Sequence, residues 1–466
     1  MKTSLPFRSQ RGSLLIVAMV FSAVVAIVLT SYIRLATTAL GLSQRAFFAN
    51  QAMNLTETGL ELAMSQLNTT GAWGSPWTLN GSDASATYSG FSLSAGATGQ
   101  VKVYVQNYAG SNPLVVAKGI VTPPSGATII KMVEVSGIAQ RSLFAKGLVG
   151  RSGLSFSGNN VGVDSWDSDP TAAAAGAYTP VGYSAAVKNA NGSIAAVSVT
   201  ATDAVGNANI WGTASVGGNS TSSITVGPQG SVGPFGTANG TKDPNSISAN
   251  FTDNLPAVTT PTPSATNLTY YSSLPHAGDA MAADGKYYYQ VASTVNSSLS
   301  ITSGNVVLLF TTLSGTDSIN LAGNNNISIA SGASLALYTA GNIKFAGNAA
   351  VNNNNVGNTT SLQIWSTNTN DPASNGGTVA QSITIAGNGN LSCTCYAPNA
   401  SLSAKGGGNS GALYGAFVAY SVTMTGNDQF HYDENLGRMG NSGSFSPSKW
   451  RELVNSTDRA TYDSHF

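Results

Sequence analysis

Apolar positions from Gly12 to Leu67 follow the spacing of one long helix. From Gly12 to Ile33 the chain carries no charge and no proline. Twenty-two residues of helix rise about 33 Å, which is enough to cross the apolar core of a bilayer. Beyond Arg34, apolar residues continue at roughly helical spacing as far as Leu67. The pattern predicts a single helix of about 55 residues, embedded in its first half and amphipathic in its second.

The charges before this helix indicate its orientation. Lys2, Arg8 and Arg11 are basic, and the segment holds no acid, so the N-terminus is expected in the cytoplasm and residues 13–33 in the membrane. A cleaved secretory signal has an apolar core of only about 7 to 15 residues before a small-x-small site. The longer run here disfavours that interpretation. An ordinary signal anchor remains as the alternative.

The rest of the chain changes to a period of two. Val101–Gln106 and Met132–Ile138 alternate apolar and polar residues, which predicts strands of a small β domain. From residue 143, short apolar words alternate with Gly-Asn pairs, as stacked β-solenoid coils require at their corners. We therefore predict a mainly β protein with a long N-terminal α-helix, a small β domain and a C-terminal right-handed parallel β-solenoid. A large antiparallel sandwich is the alternative.

The solenoid prediction specifies which side chains point inward. They are Val306, Leu308, Ile327, Ile329, Leu335, Leu337, Ile343, Phe345, Leu362, Ile364, Ile383 and Ile385. Pro256–Pro263 reads as a stiff loop or linker. Pro447–Val454 predicts a short helix that shields the open solenoid end.

Composition narrows the function classes. The 466 residues contain 20 Lys and Arg and 20 Asp and Glu, and charged residues make up only 9%. A nucleic-acid partner is not expected, because such a protein carries a basic patch. Hydrophobic residues reach 42%, which favours a folded chain over disorder. Cys393 and Cys395 share one face of a strand, where a disulfide would be strained, so we expect two unpaired core cysteines.

Candidate catalytic groups are few. Paired carboxylates can cleave glycosidic bonds, and the candidates are Asp164, Asp167, Asp169, Asp433 and Glu434. Turn capping is the simpler expectation for Asp164 and Asp167. A hydrogen-bond cluster in the final coil is the simpler expectation for His431, Tyr432, Asp433 and Glu434. No nucleophile, metal-ligand or nucleotide motif occurs in a credible context, so we expect no enzyme, cofactor or metal site.

The N-terminal residues resemble a known family. A basic leader ending in Gly12, followed by Ser13 and a long apolar helix, resembles a class III prepilin signal, which is cut after the glycine. The stretch Arg45–Glu61 is similar to a motif of PilX-type minor pilins. Its matching positions are Ala49, Ala52, Glu57, Gly59, Leu60 and Glu61.

Two positions depart from that family. Major pilins carry Glu at the fifth residue after the cleavage site and Phe at the first, whereas this chain has Val17 and Ser13. In the family the carboxylate pairs with the N-terminal amine of a neighbouring subunit, which avoids an unpaired charge in an apolar core. The departure at Val17 implies a rare subunit at the tip or in priming rather than a bulk subunit.

The far end of the chain carries a second resemblance. The run from Tyr396 to Leu436, with His431, Tyr432, Asp433 and Glu434, resembles the end of a domain of uncharacterised function that often accompanies PilX-like leaders. Val163–Ser168 resembles the opening of that domain. The two motifs together frame about 270 residues.

The resemblances imply a minor pilin-like protein of a type IV pilus or related bacterial filament. Its expected partners are other pilins, a prepilin peptidase, the inner membrane, and a surface ligand or polysaccharide at the solenoid. It would lie in the inner membrane before assembly and at the cell surface or pilus tip afterwards. The predicted boundaries are 1–12 for the leader, 13–68 for the helix, 69–142 for the small β domain, 143–440 for the solenoid and 441–466 for the tail.

Two other functions fit the same residues. One is an unprocessed inner-membrane-anchored periplasmic structural protein. The other is a surface polysaccharide-degrading β-helix enzyme.

Overall fold

The structure is a computed structural model of the chain. It describes residues 11–69, 73–109, 113–140, 142–158, 160–171, 179–268, 272–311, 314–347, 351–352, 355–387, 390–406, 411–438, 445–447 and 449–466. The chain divides into two compact units, one formed by Met1–Gln140 with Phe445–Phe466 and the other by Arg141–Ser444. The protein is mainly β with one long N-terminal helix, as the sequence predicts.

The helix α1 (Arg11–Leu67) is continuous over 57 residues, which confirms the single-helix prediction. Large apolar side chains from Leu14 to Leu42 are exposed, and Val17 is 66% exposed. By length and composition the helix can cross a membrane, as anchors and signal sequences do. Water does not favour so large an exposed apolar surface, so this half of the helix needs apolar surroundings.

An antiparallel sheet lies against the second half of α1. Its neighbouring strands pair in chain order from β1 to β5. The elements are β1 (Trp77–Asn80), β2 (Asp83–Ser92), a 3₁₀ turn (Ser94–Gly96), β3 (Thr98–Gln106), β4 (Leu114–Thr122) and β5 (Ile129–Ser136), followed by the short β6 (Ala139–Gln140). The strand predicted at Val101–Gln106 is therefore confirmed as part of β3, and the one predicted at Met132–Ile138 is confirmed as far as Ser136, where β5 ends.

Small residues let α1 approach this sheet closely. Gly59 is buried, and a Cβ there would lie 2.6 Å from Val101 Cγ2 and 3.2 Å from the Ala117 Cβ. Thr56 Oγ1 accepts a hydrogen bond of 3.1 Å from the Gly119 amide. Both contacts require the backbones of α1 and the sheet to lie close together. A larger side chain at either glycine would push them apart.

The second unit contains strands β7 to β29. The first of them are β7 (Leu148–Ser157), β8 (Gly162–Trp166), β9 (Gly192–Ala196), β10 (Thr202–Gly206), β11 (Asn209–Val216), β12 (Ile224–Val226), β13 (Ser231–Gly233), β14 (Thr241–Lys242), β15 (Ile247–Ser248), β16 (Thr266–Asn267), β17 (Ser273–Leu274) and β18 (Lys286–Val291). The others are β19 (Leu299–Ile301), β20 (Asn305–Phe310), β21 (Asp317–Leu321), β22 (Ile327–Ile329), β23 (Ser334–Thr339), β24 (Asn342–Phe345), β25 (Leu362–Ser366), β26 (Gln381–Gly387), β27 (Leu391–Gly406), β28 (Ala412–Thr425) and β29 (Gln429–Asp433). Short 3₁₀ turns occupy Thr221–Ser223, Pro244–Ser246, Thr359–Ser361 and Glu434–Gly437.

The paired strands of this unit run parallel, and aliphatic residues of one strand lie beside aliphatic residues of the next. Leu335 in β23 lies opposite Leu362 in β25, and Ile343 in β24 lies opposite Ile383 in β26. One buried row runs through successive strands as Ile319, Ile343, Ile383, Leu402, Val422 and Leu154. All twelve side chains predicted to point inward are buried. The described part of residues 300–430 contains no α-helix.

Glycines form one corner of the stack. A Cβ on Gly387 would lie well inside van der Waals contact of the Gly347 carbonyl oxygen, and one on Gly347 would lie 2.9 Å from the Gly323 oxygen. Gly387 also has φ of +100°, which L side chains rarely adopt. Gly323, Gly347 and Gly387 therefore occupy the same corner in successive layers.

The order of the strands in the stack differs from their order in the chain. The late strand β28 pairs with β7, and β29 pairs with β8, so β7 and β8 lie in the interior of the stack. The chain first builds β7 to β15, and β16 then begins the series that ends at β29. The predicted linker Pro256–Pro263 lies in the connection between the two series and holds no strand or helix. It passes Tyr396 in β27, whose hydroxyl donates a 2.8 Å hydrogen bond to the Pro256 carbonyl.

The C-terminal segment belongs to the first unit. β30 (Phe445–Ser446) pairs with β6, β31 (Lys449–Glu452) pairs with β5, and α2 (Ser456–Asp463) follows. The helix predicted over Pro447–Val454 is therefore wrong, because Lys449–Glu452 is a strand and the short helix of the tail begins later, at Ser456. The open edge of β5 recruits Lys449–Glu452 as a strand, and Leu453 is buried against the sheet with Tyr104, Val116 and Met132.

Candidate functional site

The two sequence motifs of the second unit form adjacent strands. In β8 and β29, Val163 lies opposite Phe430, Asp164 opposite His431, and Trp166 opposite Asp433. Both strands are buried along most of their length. The fold therefore joins a segment near the start of the second unit to a segment near its end.

A buried histidine–carboxylate pair lies at the centre of this contact. His431 Nδ1 is 2.5 Å from Asp164 Oδ1, and the two side chains are only 8% and 4% exposed. The Tyr183 hydroxyl donates a 2.8 Å hydrogen bond to Asp164 Oδ2, and its ring stacks on His431 with 3.7 Å between ring centroids. Burial and the bond to Asp164 raise the pKa of Tyr183 well above its ordinary value. Tyr183 therefore acts as a hydrogen-bond donor to the carboxylate.

Aromatic rings enclose this pair. Tyr414 lies 5.1 Å from His431, and Trp166 lies 5.7 Å from Tyr183, both measured between ring centroids. Trp166 is fully buried, and its Nε1 donates to the Val181 carbonyl at 2.9 Å. With such low exposure, the imidazole and carboxylate are not presented to a substrate. They satisfy each other inside the stack, as buried polar groups require.

Asp433 accepts hydrogen bonds at both carboxylate oxygens. Oδ1 receives the amides of Ser168 at 3.3 Å and Asn435 at 3.1 Å, and Oδ2 receives Thr359 Oγ1 at 3.0 Å. Burial raises the pKa of Asp433, and these hydrogen bonds oppose that rise. The carboxylate thereby ties three segments of the second unit together.

Glu434 and Tyr432 make further ties to the early strands. Glu434 Oε1 accepts from Ser165 Oγ at 2.8 Å and Asn189 Nδ2 at 3.0 Å, and Oε2 accepts from Asn191 Nδ2 at 3.0 Å. The Tyr432 hydroxyl donates to a backbone carbonyl at 2.8 Å. The predicted hydrogen-bond cluster is confirmed. Its predicted position in the final coil is wrong. β29 pairs with β8, and β8 pairs in turn with β11, so β29 does not lie at an end of the stack.

The remaining candidate carboxylates lie just before or within the turn after β8, where Asp169 Oδ1 accepts a hydrogen bond of 2.8 Å from Thr171 Oγ1. Asp167 caps a turn by accepting the Asp169 amide at 2.9 Å, as expected. It also pairs with Arg438, with nitrogen–oxygen distances of 2.6 and 2.9 Å. Turn capping is wrong for Asp164, which pairs with His431 instead. The Arg438 pair was missed, although a lone arginine just after the acidic motif was a visible signal.

The other predicted residues have simpler surroundings. Glu57 and Glu61 are exposed on α1, on either side of the buried Gly59. Cys393 and Cys395 are buried and unpaired, which confirms that prediction, and burial raises the pKa of Cys395 to about 12. Gly12 and Ser13 lie in the first turn of α1, and the surroundings of Ser13 lie outside the described part of the structure.

No metal site is evident in the described ranges. They contain no group of three or more His, Cys, Asp or Glu side chains that could hold an ion.

Comparison with known proteins gives one match. Residues 235–439 match a family model described as a domain of unknown function (DUF7305). The matched range includes His431–Glu434 and ends before β30, but it does not include Asp164. No curated protein matches the chain, and no solved structure matches it.

Proposed function

We propose that this chain is a minor pilin-like protein of a type IV pilus or related filament. The observation that carries the proposal is the division of α1 into two halves. Its first half exposes apolar side chains from Leu14 to Leu42, while its second half packs through Ala52, Gly59 and Ala63 on an antiparallel sheet. Such a helix can leave a membrane and enter a helical filament core without rearranging the sheet behind it.

The second unit supplies the displayed surface. Its parallel pairs, repeated rows and glycine corner support the proposal of a β-solenoid, and the right hand is the one that connections between parallel strands favour. The cluster of His431 and Asp164 joins the early strand β8 to the late strand β29 inside the stack. It therefore offers a rigid surface for adhesion or for presentation at the tip.

Val17 supports a rare rather than a bulk subunit. It is a 66% exposed apolar residue on the membrane half of α1, at the position where the family's major subunits carry a glutamate. A neighbouring N-terminal amine would find no carboxylate there to pair with.

Processing at Gly12 tests this proposal directly. Co-expression of the full chain with a prepilin peptidase should remove the leader Met1–Gly12 and leave Ser13 first, as read by intact mass spectrometry. Gly12→Ala should slow cleavage. Gly41→Ala is the matched control, because it adds the same methyl group to α1 where nothing lies within 4 Å.

An intact Met1 in purified filaments would contradict the prepilin interpretation. The same result in membranes without filaments would support the periplasmic structural protein instead. Release of reducing sugar from a polysaccharide by the purified chain would support the enzyme alternative.

A further inference from the structure

A cavity of about 320 Å³ with a mixed polar and apolar lining opens on the second unit. Tyr420 of β28, Arg151 and Ser152 of β7, and Ser198 and Thr200 of the loop after β9 line it. β28 pairs with β7, and β7 pairs with both β9 and β10. The cavity therefore crosses neighbouring layers of the stack at the point where the late and early strands meet.

The arginine in this cavity is held in place by its neighbours. Arg151 Nη1 lies 2.8 Å from Asp371 Oδ1 and 2.6 Å from Asn399 Oδ1. The guanidinium carbon lies 5.9 Å from the centroid of the Tyr420 ring. Arg151 in turn holds the pKa of Asp371 below its ordinary value. The ion pair of Arg151 and Asp371 therefore offers hydrogen-bonding groups to the cavity while its two charges largely cancel.

The rest of the lining combines hydroxyl groups, one aromatic ring and the small apolar side chains of Val197 and Ala373. Ser198 Oγ and Thr200 Oγ1 are exposed and share a hydrogen bond of 3.1 Å. Ser152 Oγ donates to the Tyr420 carbonyl at 3.0 Å, which leaves its oxygen lone pairs for a ligand. The Tyr420 ring is half-buried. Hydroxyls, a fixed guanidinium, an aromatic ring and two small apolar side chains thus meet in one small space.

We propose that this cavity binds a neutral saccharide. Sugar rings carry hydroxyl groups at their edges and C–H groups on their faces, which match a lining of hydroxyls beside an aromatic face. The neutralised Arg151 does not favour an anionic ligand. The volume is at the low end for ligand sites and suits one or two sugar rings. This inference deepens the proposed function, because it gives the displayed solenoid a ligand class.

Binding of defined disaccharides to the full chain tests the inference. Maltose, lactose, cellobiose and diacetylchitobiose would be titrated up to roughly 10 mM, with saturation-transfer NMR as the readout. The protein must be held in a detergent without a sugar headgroup. At least one of the four should bind. Tyr420→Ala should weaken that binding about tenfold, whereas Tyr420→Phe should retain it.

Two further variants separate a binding defect from a folding defect. The double substitution Ser198→Ala and Thr200→Val changes only the loop hydroxyls and should also weaken binding. Phe235→Ala removes an exposed aromatic ring outside the cavity and should leave binding unchanged. The inference is overturned if none of the four disaccharides binds, or if binding survives both Tyr420→Ala and the double substitution.

The filament proposal fails by a different measurement. Tyr420→Ala should still enter filaments in cells, because the cavity lies outside the first unit. Loss of saccharide binding with normal filament entry therefore supports both proposals. Saccharide binding by a chain that never enters filaments supports the cavity and contradicts the filament role.

Discussion

His431 and Asp164 form a buried pair, 2.5 Å apart, between residues separated by 267 positions in the chain. Their strands lie side by side, with further strands on both sides of them. The pair therefore locks the junction between the early and late series of strands. A substitution in this pair should lower the local stability of the junction before it lowers that of the rest of the stack.

Removing one member of this pair should destabilise the junction. Asp164→Ala leaves His431 and the Tyr183 hydroxyl buried without their acceptor, and we expect a loss of about 3 kcal/mol. Hydrogen exchange of β8 and β29, read by mass spectrometry, should accelerate before exchange in β20 or β23. Asp284→Ala, at a surface carboxylate, is the control. Equal exchange in the two variants would contradict the assignment of the pair as the lock.

A buried acid predicts an unusual dependence of stability on pH. Asp203 continues the aliphatic row, between Leu154 and Ile224, with no exposure, and neither carboxyl oxygen makes a hydrogen bond within the described residues. Burial raises its pKa to about 7, and the nearby Leu154 amide opposes the rise. On the neighbouring strands β7, β9, β11 and β12, the only charged residue is Arg151.

The direction of that dependence follows from the raised pKa. Below about pH 4 the acid is protonated in both folded and unfolded states, so it costs nothing. Stability should fall as pH rises from about 4 to about 7 and stay low above that range, by about 4 kcal/mol for this group alone. Asp203→Leu should complete the row and stabilise the chain at pH 8 much more than at pH 4. Thermal unfolding at both pH values measures this, and an equal gain at both would contradict it.

Some of this organisation was predictable from local pattern, and some was not. The helix α1 and the inward residues such as Ile343 and Ile383 follow from spacing between near neighbours. The partners of His431 and of Lys449 lie far upstream, at Asp164 and Ser136. A local pattern does not show that the edge of the distant strand β5 is free to pair. For this reason the sequence around Lys449–Glu452 predicted a helix, whereas these residues form a strand. The same limit concealed that β29 is an interior strand.

The glycine corner predicts two different costs for the same substitution. Gly377 has φ of +84° with nothing within 4 Å of an added Cβ, so Gly377→Ala should cost about 1 kcal/mol from backbone conformation alone. Gly387→Ala carries that cost and also collides with the Gly347 carbonyl, so we expect a loss of about 3 kcal/mol or more. Denaturant unfolding of the two variants compares them. Similar unfolding midpoints for the two variants would contradict this prediction, because they would mean that the layers move apart at the corner at little cost.

The position of the chain in a filament depends on Val17. Without a carboxylate at this position, a subunit does not pair with a neighbour's N-terminal amine, and a displayed unit of about 300 residues would crowd a tightly packed shaft. Immunogold labelling against the second unit should therefore mark pilus tips. Deletion of the chain should lower pilus number or adhesion.

Val17→Glu restores the missing carboxylate, and Val17→Gln is its control of equal size without the charge. If pairing limits incorporation, only the glutamate variant should move label from the tips onto the shaft, because a buried carboxylate is tolerated only beside its partner amine. The labelling density along the shaft, counted against total filament length, measures the effect. Uniform shaft labelling of the wild-type chain at major-subunit abundance would contradict the tip position and remove the significance of Val17.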